Sequence, residues 1–275
     1  ADGSQYFHSF GVTPNFVVLP LNLRMDMPVS LSKAPIMLGN FHSSWKGVHL
    51  VDYDGGVQIF DDVDPFYHTH IVNAFENATG VVLDVGVYAA VPFAKGPTLD
   101  IEMFLNKTLR DSAPNRAHVQ RLHFHLAGPL KGRTTQESFA NPGRSVDFYK
   151  INMALSGLPH CIYYAVEWWH DGHDFANMAV LKHDVCRGVR SYWKREDAYP
   201  GEPFFVPSAS GTSEDDGVVV FIAIDGRARR SIFVVLDGPS FQELEVVELP
   251  VHIPFTAHGN FIPHAAADAG DRLLV

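Results

Sequence analysis

The strongest constraint on the fold of this chain is a recurrence of short β-prone runs between clusters of Gly, Pro, Asn and Asp. Such runs occupy residues 16–19, 48–52, 57–60, 80–88, 119–126, 146–151, 162–167, 178–182, 218–224, 232–236 and 244–248. Many strands at regular spacing, with little helix, predict an all-β fold: a sandwich, a barrel or a propeller. Residues 48–60 read as a hairpin turning at Asp54-Gly55-Gly56, and Leu236-Asp237-Gly238-Pro239 is a second turn signal. One helix is predicted. Thr98 caps it, Asp100 and Glu102 lie in its first turn, and Lys107 and Arg110 close it. Ile101, Phe104, Leu105 and Leu109 form the apolar stripe that would pack on a sheet. No internal repeat is evident, so self-similarity does not select among the three architectures.

Three widely separated segments each carry a histidine in a distinctive setting: Phe7-His8-Ser9-Phe10-Gly11-Val12-Thr13, His70-Ile71-Val72-Asn73-Ala74-Phe75-Glu76 and Pro254-Phe255-Thr256-Ala257-His258-Gly259. Imidazoles so far apart in sequence meet only if the fold carries them to a common axis. Neutral imidazole is a usual ligand of iron, zinc and copper, and a site built from it alone leaves the metal's positive charge in place. Taken singly, each of these histidines reads as readily as an ordinary core or surface residue.

Taken together and in this order, the segments resemble those of the carotenoid cleavage oxygenases. His8 stands in a His-Ser-Phe-Gly-x-Thr segment followed by Pro14-Asn15-Phe16, and His70 opens a His-x-x-Asn-Ala-aromatic-Glu pattern ending at Glu76. His258 follows Ile253-Pro254-Phe255 and precedes Gly259, as the family's last ligand does. The resemblance implies an all-β, seven-bladed propeller with, here, one short helical insertion. At ~40–45 residues per blade, the chain is expected to form a partial propeller of roughly the last four or five blades. It further implies a non-haem Fe2+ ligated by His8, His70 and His258, with O2 and an apolar polyene as reactants. A conjugated C=C bond of a carotenoid or apocarotenoid would be cleaved to two carbonyl products. The family's ligand set has four histidines, the first upstream of the segment that His8 matches. Residues 1–275 are therefore expected to be the C-terminal portion of one such domain, a fragment without the N-terminal blades and with little activity of its own. An opening Ala1 rather than Met agrees with that expectation.

A ligating histidine usually donates its second N–H to a carboxylate. The stretch Tyr199-Pro200-Gly201-Glu202-Pro203-Phe204-Phe205-Val206 resembles a family segment bearing such a glutamate, which marks Glu202. Asp147-Phe148-Tyr149-Lys150-Ile151-Asn152 resembles a Glu-Phe-Pro-x-Ile-Asn segment bearing another, with Asp for Glu and Tyr for Pro. The missing methylene shortens its reach, and an ordinary surface charge is the alternative reading of Asp147. His68, His123, His125, His170 and His173 match no ligand position and read as strand or loop residues; the members of the pairs His68/His70 and His123/His125 share a strand face. Glu214-Asp215-Asp216-Gly217 reads as a structural turn, since it lacks the alternating ligands of a calcium loop. Leu31, Ile36, Met37, Leu38 and Phe41 lie in an apolar stretch for which the resemblance implies a membrane or tunnel patch; a loop folded onto the domain fits equally well.

Composition excludes more than it assigns. Lys plus Arg total 21 against 31 Asp plus Glu, a net charge of −10 with no basic run, which argues against nucleic acid as a partner. No stretch approaches the ~20 apolar residues of a membrane-spanning helix. Cys161 and Cys186 are too few for a disulfide framework and are expected to be reduced and buried. Asn77-Ala78-Thr79 and Asn106-Lys107-Thr108 match the glycosylation pattern, which carries no weight without evidence of secretion. The sequence does not reveal the compartment; the expectation is intracellular, with a plastid or a membrane surface as candidates. Two other functions stay open at this point: a non-catalytic propeller that binds an apolar ligand or partner, and an iron enzyme acting on stilbenes or retinyl esters.

Overall fold

A computed structural model of the chain describes residues 4–25, 41–91, 105–113 and 115–262. Its first strands are β1 (Ser4–Tyr6), β2 (Gly11–Val12), β3 (Phe16–Pro20), β4 (Leu23–Met25), β5 (Phe41–Ser43), β6 (Val48–Asp52) and β7 (Val57–Phe60). Then follow β8 (Tyr67–Asn77), β9 (Gly80–Tyr88), β10 (His118–His125), β11 (Thr134–Ser138), β12 (Ser145–Lys150), β13 (Ile162–Trp168), β14 (Ala179–Asp184) and β15 (Val189–Trp193). The last are β16 (Ala198–Pro200), β17 (Phe204–Pro207), β18 (Gly217–Asp225), β19 (Arg230–Asp237) and β20 (Glu243–Glu248).

These strands form successive antiparallel meanders, the blades of a partial propeller, and the described sheets do not close into a ring. One blade is β2-β3-β6-β7, the next β8 to β11, the next β12 to β15. In the last, β16 and β17 both pair with β18, which continues to β19 and β20. A further three-stranded sheet has the order β1-β4-β5. The expected hairpin is present, with Val51 opposite Val57. The long strand β8, which carries His70, was absent from the expected runs because polar His68, Thr69, His70 and Asn73 interrupt its apolar pattern.

Cores lie between neighbouring blades. Val18, Val48 and Leu50 pack against Val81, Leu83, Val85 and Phe124 across the first junction. Strand β13 is buried along its length and serves two junctions. Tyr163 and Ala165 face one core and Ile162 and Tyr164 the other, the alternation a strand imposes. Polar clamps join the same blades. The Glu214 carboxylate accepts the Cys161 and Ile162 backbone N–H groups, and Lys182 Nζ donates to Asp215 Oδ2 at 2.6 Å, so the acidic turn has the structural role expected of it.

Two expectations need correction. Cys161 and Cys186 form a disulfide: Ile162 lies opposite Asp184 in the β13–β14 pair and the Val185 N–H reaches the Cys161 carbonyl, which brings the next residue, Cys186, to a Cα separation of 5.3 Å from Cys161. A sequence separation of 25 hides that register. The described helix, α1 (Lys107–Asp111), is capped by Asn106, while Thr98, Asp100, Ile101, Glu102 and Phe104 lie outside the described residues. Leu105 and Leu109 are 84% and 50% exposed rather than packed on a sheet. The helix is held instead through Asp111, whose backbone carbonyl accepts Trp169 Nε1–H and whose carboxylate accepts the Phe175 N–H.

Candidate metal centre

His8, His70 and His258 converge. They are the one group of three possible metal-ligating side chains among the described residues, with ligand atoms within 4.8 Å of one another. His8 precedes β2, His70 lies on β8 and His258 on the segment after β20. Three blades and the tail thus supply the cluster and its supports.

The rest of each motif explains the convergence. Glu76 accepts hydrogen bonds from Thr13 Oγ1 at 2.6 Å and from the Asn15 backbone and side-chain N–H groups, both at 2.8 Å. Ser9 Oγ donates to the Thr69 carbonyl and accepts the Ile71 N–H. The His8 and His70 segments are therefore stapled to each other on both sides of the two imidazoles. Gly11 belongs to the same contact, since a methyl there would stand 2.7 Å from Ala74 Cβ. Gly201 has a matching role for the third segment: a methyl there would sit 2.3 Å from Thr256 Oγ1 and 3.3 Å from the Ile222 and Thr256 carbonyl oxygens, so glycine leaves room for the tail on its way to His258. Asn73 pins the neighbouring loop by donating to the Leu155 and Leu158 carbonyls.

Irregular backbone aims the side chains. Strand β8 shifts register between His68 and Ile71 and again between Ile71 and Asn73. Such bulges re-aim side chains. His68 consequently does not join His70: it is buried, bonded to Asn22 and to the Ser9 carbonyl. Strand β12 shifts between Asp147 and Lys150, and Phe148 takes a left-handed backbone with φ 58°. A bulky residue held there signals a strained position over-determined by its surroundings. In the last blade the edge breaks between β16 and β17 at Gly201-Glu202-Pro203, and Glu202 is buried within the gap.

The two carboxylates marked in the sequence both stand behind imidazoles. Asp147 Oδ1 lies 2.6 Å from His70 Nδ1, so the shorter side chain does reach, and Asp147 is buried rather than a surface charge. Glu202 Oε1 lies 3.2 Å from His258 Nδ1, and its other oxygen accepts the Gly259 N–H. Burial would raise the Asp147 pKa, but His70 and the hydroxyls of Tyr88 and Thr69 outweigh it and hold it at about 2. For His70, burial pulls downward and the adjacent Asp147 prevails, so its pKa is raised. His8 is lowered by burial and by the two neighbouring imidazoles. Its Nδ1 meets the Tyr6 hydroxyl at 3.1 Å, not a carboxylate.

This arrangement fits a metal ion. An ionised carboxylate only accepts, so the proton on each of His70 and His258 belongs on Nδ1 and a lone pair remains on each Nε2. Those Nε2 atoms stand 3.2 Å apart. Two bare acceptors at that distance repel, and a cation between them removes the repulsion. Nitrogen ligands ~2.1 Å from one ion at near right angles stand ~3 Å apart, close to the separation found.

Beside the imidazoles opens a cavity of about 640 Å3, lined by Phe148, Trp168, Trp169, Phe175, Tyr199 and Phe255 among others. The Phe148 ring is 5.5 Å from His70, 5.3 Å from His258 and 5.5 Å from Trp168, so it forms the wall nearest the cluster. Tyr6, Thr69, Tyr88 and Phe148 went unrecognised in the sequence; only Phe148, inside the Asp147 segment, carried a signal. His123 and His125 share a face, with ring centroids 3.9 Å apart, and bond Thr79 and Thr135; His170 bonds the buried Glu167. His173 is exposed. Leu31, Ile36, Met37 and Leu38 lie outside the described residues, as does the side chain of Phe41, whose backbone is in β5.

The family model described as retinal pigment epithelial membrane protein matches residues 1–263. The chain is 30% identical over 278 residues to the chloroplastic carotenoid cleavage dioxygenase 8 of Arabidopsis thaliana, covering 95% of this chain and 47% of the relative. It is 26% identical over 306 residues to the mitochondrial carotenoid-cleaving dioxygenase of Homo sapiens, covering 94% and 51%. The crystal structure of cobalt-substituted Synechocystis apocarotenoid oxygenase superposes with a TM-score of 0.78 at 23% identity, covering 94% of this chain and 53% of that one. The chain spans about half the length of the curated relatives it matches.

Proposed function

Because this chain belongs to the retinal pigment epithelial membrane protein family of carotenoid oxygenases, we propose that His8, His70 and His258 hold a catalytic Fe2+ and that the whole enzyme cleaves a conjugated C=C bond of a carotenoid or apocarotenoid. One bond and one O2 would yield two carbonyl groups, which accounts for every atom. The observation that carries the reading is the facing pair of Nε2 atoms on His70 and His258, 3.2 Å apart with each Nδ1 backed by a buried carboxylate. A solved neighbour of the same fold is cobalt-substituted, which supports a metal-dependent reading. The chain is proposed to supply the C-terminal part of one propeller domain.

Iron, when bound, supplies the activation of O2. The chain's own residues do the rest. Asp147 and Glu202 fix the tautomers of His70 and His258 and so present their Nε2 lone pairs inward. Phe148, Trp168, Trp169 and Phe175 offer flat apolar surface to a polyene and keep water from the cluster. No side chain is assigned as general acid or base. Asp147 stands where the family segment has Glu, and its carboxylate reaches its imidazole at 2.6 Å all the same.

Chloroplastic and mitochondrial relatives favour an organellar location. Contact with a lipid surface through Leu31, Ile36, Met37, Leu38 and Phe41 belongs to the same proposal, and flotation with phosphatidylcholine vesicles tests it.

The deciding experiment is anaerobic purification of the full-length protein, iron analysis, and incubation with an apocarotenal under 18O2. About one iron per domain and labelled carbonyl products are expected. A protein that takes up no iron and leaves the polyene intact overturns the proposal.

A further inference from the structure

We propose that Thr69 and Tyr88 are positioning residues which hold the Asp147 carboxylate against His70 and, through it, aim the His70 lone pair into the cluster. This rests on the metal reading above.

Asp147 receives four hydrogen bonds. On Oδ1 it accepts His70 Nδ1–H at 2.6 Å and the Phe148 N–H at 2.9 Å. On Oδ2 it accepts Thr69 Oγ1–H and the Tyr88 hydroxyl, each at 2.8 Å. A carboxylate offers about four lone-pair sites, so all are filled. Asp147, Thr69 and Tyr88 are 6%, 3% and 2% exposed, so water does not compete for these bonds. The two oxygens have separate tasks. One holds the imidazole, and the other takes the pair of hydroxyls that stops the carboxylate from turning about Cβ–Cγ. Without that pair, a rotation would move Oδ1 off Nδ1 at little cost.

The arrangement matters most for an aspartate. Its side chain is shorter than glutamate's by one C–C bond, ~1.5 Å. The β12 irregularity after Asp147 and the left-handed Phe148 bring the backbone inward to make up that reach. The hydroxyls come from the neighbouring blade, Thr69 from β8 just before His70 and Tyr88 from the end of β9, where it pairs with Tyr67. Three side chains thus set the spacing of two blades at the site. Glu202 differs. It is held by the Gly259 backbone N–H at 3.2 Å and by Lys150 Nζ at 3.4 Å, with no hydroxyl pair among the described residues.

The test is a Co2+ titration of the full-length protein, read by its visible ligand-field bands, for wild type, Thr69→Val, Tyr88→Phe and Thr69→Ser. Thr69→Val and Tyr88→Phe should each weaken Co2+ binding about tenfold, the lower end of the loss expected for groups behind a metal ligand, and shift the bands. Thr69→Ser, which keeps the hydroxyl, should stay within about twofold of wild type. If wild type binds Co2+ and both hydroxyl deletions match it in affinity and bands, this proposal is overturned and the metal reading stands. If Thr69→Ser is as weak as Thr69→Val, packing rather than the hydrogen bond is responsible, which also overturns it. If wild type takes up no Co2+, both readings fall together.

Discussion

The Nε2 atoms of His70 and His258 face each other at 3.2 Å although 188 residues separate them in sequence. Each ring is turned that way by a carboxylate on its far side, Asp147 for His70 and Glu202 for His258. Carboxylates placed there commit both lone pairs to one point, an arrangement that favours a cation. Adding Co2+ at about 100 times its dissociation constant should stabilise the wild-type fold by about 2.7 kcal/mol. His70→Ala and His258→Ala should each lose that stabilisation, which thermal unfolding with and without the metal will measure.

Replacing Asp147 by Asn should lower metal affinity about 10–100-fold by putting a neutral amide in place of the charged acceptor behind His70. A pH effect accompanies it in the metal-free protein. Asp147 titrates at about 2 in the fold against 3.8 ordinarily, so its charge stabilises the native state above the higher value. That contribution, about 2 kcal/mol, is lost as the pH falls from about 4 to about 2. Urea unfolding across this window should show the loss in wild type and a flatter profile in Asp147→Asn.

Glu76→Ala should destabilise the fold by about 2–3 kcal/mol, because three donors from Thr13 and Asn15 lose a charged acceptor. Glu76→Gln keeps part of the acceptance and should cost less. Metal affinity should fall in the same order, since the staple registers His8 against His70; chemical denaturation and Co2+ titration on one set of variants check both.

Gly11→Ala should cost about 1–3 kcal/mol, the range for overpacking a filled site. The added methyl would stand 2.7 Å from Ala74 Cβ and 3.2 Å from Leu83 and Val18, none of which can move freely. Unfolding midpoints of Gly11→Ala with and without Ala74→Gly, which removes the methyl it would meet, separate crowding from a general glycine effect.

Reducing the Cys161–Cys186 disulfide should destabilise the fold by about 3 kcal/mol, the value expected for closing a loop of 25 residues. Unfolding with and without dithiothreitol measures it, and a Cys161→Ser/Cys186→Ser variant should be insensitive to the reagent. The bond persists only in surroundings that do not reduce it, so its redox state in the source cell also bears on location.

Much of the architecture was legible. Strands such as Val48–Asp52, Val57–Phe60 and Gly80–Tyr88 announce themselves because alternation or unbroken apolar runs between turn residues leave few other conformations. The strand Tyr67–Asn77 did not, because the residues that serve the site and its supports, His68, Thr69, His70 and Asn73, are the ones that spoil an apolar pattern. Function and legibility conflict there. The helix stripe misled for a related reason: Leu105 and Leu109 have helical spacing, yet the short helix is tethered by Asp111 and leaves them exposed.

By itself the sequence determined the β class, the three histidine segments and the two carboxylates that belong with them, since each rests on local residue order that survives without coordinates. Only the tertiary structure decided that the three imidazoles share one point, that Asp147 reaches His70 despite its short side chain, and that Cys161 meets Cys186. Those outcomes depend on strand register, on a bulge and on the separation of adjacent blades. Each is set by packing between residues far apart in the chain, which local order does not encode.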